Sequence, residues 1–233
     1  MFTRDGCRCR IRIRARFGLN KPSVLGVTKN VSSKGLALDA PMYFDTDQQL
    51  ALLLDWHSGA ISEVGRVRWF AGQRFTNSGR PEFGLQLIEP NQGYLKMLEE
   101  VVYLSYVRER NGGVRYVNPV RLTCCNTRQL IDQYDRNIHQ GGMFVPTRHP
   151  LHEGAQVGLH LIMLDTMELL ELGGRVVSTV DAETAQRLDV QPGMQVRIES
   201  FPAQDSERLR EHVERLRQGD FDDTSQDETE LAP

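Results

Sequence analysis

Six arginines stand in the first sixteen residues, Arg4, Arg8, Arg10, Arg12, Arg14 and Arg16, against one acid, Asp5. A guanidinium is a planar five-donor fork that matches phosphate oxygens and the O6/N7 edge of guanine, and its flat face stacks on a base. Further along, Asn30-Val31-Ser32-Ser33-Lys34-Gly35 sets an amide, a hydroxyl and a glycine around a turn. An amide oxygen accepts from the N1–H and N2–H donors of guanine, and glycine lets backbone approach a ligand closely. The set suits a guanine nucleotide better than bare phosphate. Two plainer roles compete with it. Asn and Ser favour turns in any case, and an arginine stripe can be a solvated strand face that blunts edge pairing.

Elements must hold these groups in place. Cys9, Ile11, Ile13, Ala15 and Phe17 alternate with arginines at a strict period of two, which predicts a strand over Cys9–Phe17 with one face in a core. Short strands are expected at Gly26–Asn30 and Gly35–Leu38, and a hairpin of Gln48–Trp56 with Ile61–Phe70 turns at His57-Ser58-Gly59. A strand at Phe83–Ile88 follows, then a helix at Gln92–Val107 after the Pro90-Asn91 start signal.

The pattern recurs. Asn137-Ile138-His139-Gln140-Gly141-Gly142 echoes the turn at an offset of 107. Gly174-Arg175-Val176 echoes Gly65-Arg66-Val67, and Gly193-Met194-Gln195-Val196 echoes Gly84-Leu85-Gln86-Leu87, both at 109. Each copy ends in a helical stretch, the second at Ser206–Arg217 with Leu209, Val213 and Leu216 on one face. The expected fold is mainly β: two tandem small antiparallel barrels, closed or nearly closed, each followed by a C-terminal helix. Their boundaries fall at 1–107 and 114–218, with a linker at 108–113. The segment 219–233 holds Asp220, Asp222, Asp223, Asp227, Glu228 and Glu230 and no base, and is expected to be disordered. Since the chain carries a formal charge of -3, everything ahead of that tail is net positive.

At this point the sequence resembles the PilZ domain family. Arg4-Asp5-Gly6-Cys7-Arg8, followed by Asn30-x-Ser32-x-x-Gly35, is similar to its RxxxR…(D/N)xSxxG signature, over most of residues 1–100. The resemblance implies a small β-barrel that binds the bacterial second messenger cyclic di-GMP. Arg4 and Arg8 would grip phosphates and stack on guanine, Asn30 and Ser32 would bond to guanine, and Gly35 would keep the turn open. Arginines also stand four apart as Arg8/Arg12, Arg10/Arg14 and Arg12/Arg16. Arg4/Arg8 is preferred because the family places its pair just ahead of strand one, and Arg8/Arg12 is the other choice. The second copy departs from the pattern: His139 replaces the serine, and no arginine pair precedes Val120–Cys124. It is therefore expected to bind no nucleotide and to serve packing or interaction.

Other chemistries find little support. Cys7-x-Cys9 and Cys124-Cys125 lack zinc spacing, and His149-x-x-His152 has no third ligand nearby. No nucleophile elbow, Walker loop or HExxH is present, so an enzyme is not expected, nor any cofactor beyond the nucleotide ligand. No apolar run is long enough to span a bilayer, and no secretory signal precedes the arginines, so a cytoplasmic protein without membrane insertion is expected. Nucleic acid is a poor fit, since aromatics are 7% and the basic strand alternates with aliphatic residues. The resemblance implies an output through a signalling or motility protein, acting on motility, pili or exopolysaccharide. The alternative is a PilZ-like adaptor that binds no nucleotide and works only through protein contacts.

Overall fold

The computed structural model describes residues 8–39, 41–72, 81–109, 119–124 and 126–218. The first half is a closed antiparallel barrel of six strands: β1 (Arg14–Gly18), β2 (Val24–Ser32), β3 (Gly35–Asp39), β4 (Gln49–Trp56), β5 (Gly59–Ala71) and β6 (Glu82–Leu87). Their order is β1-β2-β3-β6-β5-β4, with β1 pairing β4 to close the ring and leave no free edge. Alternation decides which side chains turn inward. Leu50, Leu52 and Leu54 of β4 and Ala15 and Phe17 of β1 are fully buried, and the ring of Phe17 meets those of Phe44 and Phe83 edge to face inside.

The arginine-rich segment forms a shorter strand than its alternation predicts. Regular pairing begins at Arg14↔Val27, and upstream of it only Cys9↔Val31 bridges to β2. The N-terminal segment carries one more residue than β2 between these two points. Thr28 fills the gap: its hydroxyl takes the Ile13 N–H at 2.8 Å and donates to the Ile11 carbonyl at 2.7 Å. A side chain thus replaces one rung of the ladder.

Helix α1 (Gln92–Glu109) starts at Asn91, whose side-chain oxygen accepts the Tyr94 N–H at 3.0 Å. Tyr94, Met97, Leu98, Val101 and Val102 recur at helical spacing and are all buried, so one stripe of the helix completes the barrel core.

The second half carries β7 (Pro119–Cys124), α2 (Thr127–Arg136), a 3-10 turn (Ile138–Gln140), β8 (Gly142–Pro146), β9 (Gln156–Met163), β10 (Glu168–Val180), α3 (Ala182–Leu188), β11 (Gly193–Ser200) and α4 (Ala203–Arg217). Its five strands run in the order β7-β9-β10-β11-β8. By the repeat, β7, β9, β10, β11 and β8 answer β1, β4, β5, β6 and β3, so this is the order of the barrel with β2 removed. A half-barrel results, and β7 lies parallel to β9 where β1 and β4 are antiparallel. The cause lies in residues 127–136, where Leu130 and Tyr134 stand four apart among good helix formers and Leu130 alone is fully buried. That segment coils as α2 where the first copy extends as β2.

The strand edge left at β8 is blunted. Pro146 has no N–H, and the Gly142 N–H donates to the Asn137 carbonyl at 3.2 Å. Helix α4 buries Leu209, Val213 and Leu216, the face expected for it, together with His212. The chain divides into two compact units. One holds the residues up to Asn126 with Gly158–Glu171, and the other holds Thr127–Val157 with Leu172 onward. Of the expected linker, residues 108 and 109 belong to α1. The rest of it and the acidic tail lie outside the described residues.

Candidate functional site

The Cys9–Val31 bridge sets the geometry of the site. Cys9 N–H donates to the Val31 carbonyl at 3.0 Å, and Val31 N–H donates back to Cys9 at 2.9 Å. Val31 points into the core and is fully buried, so its neighbours Asn30 and Ser32 turn to the outer face. In the register of that bridge, Arg10 lies across from Asn30 and Arg8 from Ser32. Arg8 and Arg10 are exposed, and no acid among the described residues lies within ion-pair distance of Arg8, Arg10, Arg12 or Arg14. Arg16 differs: it pairs with Asp55 at 3.5 Å across β1 and β4. The structure therefore brings Arg8, Asn30 and Ser32 together with Arg10. Arg4 lies outside the described residues.

Each member of the turn has a distinct local role. Asn30 Oδ1 is buried with no hydrogen-bond partner among the described residues. Leaving such an acceptor desolvated costs about 1–3 kcal/mol unless a donor arrives. Ser32, at 7% exposure, donates its hydroxyl proton to the Gly35 carbonyl at 3.0 Å. Its oxygen lone pairs remain to accept. Gly35 is needed for space and not for an unusual backbone angle: an added Cβ would stand 2.1 Å from the Leu85 carbonyl oxygen of β6. Close packing of β3 on β6 explains this glycine.

Sequence reasoning passed over one member of this face. Asn30 pairs with Ala37, Ala37 with Gly84, and Gly84 with Trp69, one row across β2, β3, β6 and β5. A Cβ on Gly84 would lie 2.1 Å from Trp69 Nε1, so the indole rests over that glycine at 37% exposure. A floor of small residues thus runs from an amide acceptor to an aromatic wall, and an indole is a stacking platform for a base. The signal lay in Gly84, a landmark of the repeat, and in Trp69 of the expected Ile61–Phe70 strand. Their pairing was not visible, because a bulge between Val67 and Trp69 shifts the register. Beside the row, Lys29 and Glu82 form an ion pair across β3.

The matching run of the second copy is built differently. Asn137 follows α2, and its side-chain nitrogen donates to Gln133 Oε1 at 2.9 Å. Its carbonyl accepts from both Gln140 and Gly142. His139 lies against the Tyr134 ring at 5.7 Å between centroids, and the left-handed residue is Gly141, with φ of 73°. Asn137 closes a helix, whereas Asn30 lies on a strand. No helix among the described residues is long and apolar enough to cross a membrane.

Comparison with known proteins bears on both halves. A family model described as PilZ domain matches residues 2–104 and again 105–215. No curated protein matches the chain. Among solved structures, the chain is similar to the inhibitor of motility MotI/DgrA of Bacillus subtilis, at 17% identity and a TM-score of 0.38 over 48% of this chain and 54% of that one. It is similar also to the PilZ domain of YcgR from Escherichia coli with c-di-GMP, at 10% identity and a TM-score of 0.37, over 48% of this chain and 100% of that one. PlzA of Borreliella burgdorferi, in complex with c-di-GMP, aligns over 88% of both chains at 11% identity and a TM-score of 0.28. The match thus spans about half the length of the MotI/DgrA chain.

Proposed function

Because the chain belongs to the PilZ domain family, in two copies, we propose that its first barrel is a receptor for cyclic di-GMP and that its second, half-barrel copy binds no nucleotide. The single observation that carries the reading is the buried, unpartnered Asn30 Oδ1, held one residue from the backbone bridge that brings Arg8 alongside. Guanine supplies the N–H donors that this acceptor lacks. The Arg8 fork, with Arg4 as the other member of the pair, neutralises phosphate and lies flat on the base. Ser32, whose proton is committed to Gly35, offers its oxygen to a second guanine donor.

The role is one of binding, with no catalytic step. Nucleotide orders the arginine-bearing segment over the barrel and changes the surface shown to a signalling or motility protein, a population shift between two states. The half-barrel copy acts through packing or protein contact. Domain limits of 1–107 and 114–218 and a cytoplasmic location remain part of this reading.

One observation favours the adaptor that works without nucleotide. Ser32 and Gly35 both have complete structural roles, in the turn and in β3–β6 packing. Calorimetric titration with cyclic di-GMP decides between the two. The receptor reading expects saturable heat, abolished by Arg8→Ala and Asn30→Ala and unchanged by Asn137→Ala. A silent wild-type protein at ligand concentrations well into the micromolar range leaves the adaptor.

A further inference from the structure

The Ser32–Gly35 turn is held from inside the barrel by a residue of α1. Tyr94 is fully buried, and its hydroxyl donates to the Ser32 carbonyl at 2.9 Å with the Gly35 carbonyl a second, longer contact at 3.4 Å. Burial and the nearby Glu63 carboxylate hold this phenol far above its ordinary value, so it stays a donor throughout the working range. The helix end that carries it is itself fixed to β5. Asn91 donates its side-chain amide to the Ser62 carbonyl at 2.7 Å and its backbone N–H to Glu63 Oε1 at 3.1 Å.

The other end of α1 meets a second buried polar group. Tyr106 donates to Glu171 Oε2 at 2.5 Å, and Glu171 lies 3.6 Å from His160 Nε2, with both residues almost wholly buried. Tyr103 lies 5.8 Å from the His160 ring and carries the Arg121 guanidinium on its face at 3.7 Å. From Tyr94 to Tyr106 the helix spans roughly 18 Å at about 1.5 Å per residue. All these residues belong to one compact unit.

We propose that Tyr94 is a positioning residue of the nucleotide site, and that α1 transmits the state of the Ser32–Gly35 turn to the His160–Glu171 pair. The inference rests on the receptor reading above. Tyr94 aligns the two carbonyls that flank the turn, which keeps the Ser32 proton on Gly35 and its lone pairs turned outward. A ligand donor drawing on that oxygen polarises or shifts the turn, and the shift passes to the phenol. A packed helix clamped at Asn91 answers as a unit, so the change is felt at Tyr103 and Tyr106 and at the imidazole between them.

The test is calorimetry of the full chain with cyclic di-GMP, on wild type, Tyr94→Phe and Val101→Ala, a purely apolar truncation on the same buried stripe. It is paired with NMR of the His160 and Tyr94 ring carbons in wild type, with and without nucleotide. The expected result is binding weakened about five- to tenfold in Tyr94→Phe, within twofold of wild type in Val101→Ala, and ligand-dependent shifts at both rings. Equal affinities in wild type and Tyr94→Phe, or a loss in Val101→Ala as large as in Tyr94→Phe, overturn the positioning role. A His160 resonance that nucleotide leaves unmoved overturns the transmission, and this measurement needs no variant to fold. A wild type that takes up no nucleotide fails earlier and differently, since it removes the receptor reading itself.

Discussion

Replacing Gly35 with alanine separates what the fold asks of the turn from what a ligand asks of it. The new Cβ would stand 2.1 Å from the Leu85 carbonyl oxygen, 3.1 Å from its carbon and 3.2 Å from Gln86 Cα, all of them backbone. No flexible side chain can move aside. Strands β3 and β6 must part by about an ångström or more, and overpacking of that kind costs about 1–3 kcal/mol. The Leu87 N–H to Lys34 carbonyl bond and the Ser32 hydroxyl bond to Gly35 lie at the same point. Weakening both adds about 1 kcal/mol each, so a loss of roughly 3–5 kcal/mol is expected. The control is Gly142→Ala, its counterpart in the second copy. There the nearest atoms would be Gln195 Nε2 at 3.3 Å and the Val196 carbonyl at 3.4 Å, and one of the two is the end of a flexible side chain. Urea denaturation followed by tryptophan fluorescence reads the Gly35→Ala loss, because Trp56 and Trp69 both belong to the barrel, and far-ultraviolet circular dichroism reads the Gly142→Ala control. Gly35→Ala as stable as wild type would refute the packing argument and return this glycine to a role in ligand access. If the expected loss is found, weakened nucleotide binding in the same variant reflects the turn's geometry and not a missing contact.

Two further predictions concern the face and the core beneath it. Trp69→Ala removes the aromatic wall over Gly84, and base stacking of about 1–3 kcal/mol implies cyclic di-GMP binding weakened by roughly 5- to 150-fold, measurable by calorimetry; unchanged affinity removes Trp69 from the site. Burial raises the carboxyl pKa of Glu63 above its ordinary value, against the opposing Asn91 N–H bond. A raised acid pKa in the folded state means that stability is lost as pH climbs from the unfolded value through the folded one. Glu63→Gln keeps an oxygen for Asn91 and drops the buried charge. The variant should therefore melt higher than wild type at neutral pH and show less pH dependence in the mildly acidic range; identical melting curves would contradict this.

Much of the architecture was legible in the chain because alternation and repetition are local properties. The alternation of Cys9–Phe17 announced a half-buried strand, of which Arg14 onward pairs regularly, and Gly65, Gly84, Gly174 and Gly193 marked two copies through the tight strand packing that each copy needs. The Pro90-Asn91 start signal and the apolar spacing of Leu209 to Leu216 placed the two C-terminal helices. The loss of β2 from the second copy was hidden behind the echo at Asn137. Similar residue letters there follow a helix and not a strand, and Leu130, Ile131 and Tyr134 carried the helical period.

The candidate site divides along the same line. Residue types suggested a guanine nucleotide, and the resemblance to the PilZ family singled out Arg4, Arg8, Asn30, Ser32 and Gly35. Which of them meet, and which stay unsatisfied, depended on contacts between residues far apart in the chain. The Thr28 hydroxyl that interrupts the ladder, the bulge that turns Trp69 over Gly84 and the Tyr94 phenol beneath the turn are all pairings across 15 to 62 positions. Short-range pattern fixes the direction a side chain takes from its own strand. Registry between strands and the burial of a lone acceptor arise only when the barrel closes, because they depend on which neighbours the closed ring brings alongside.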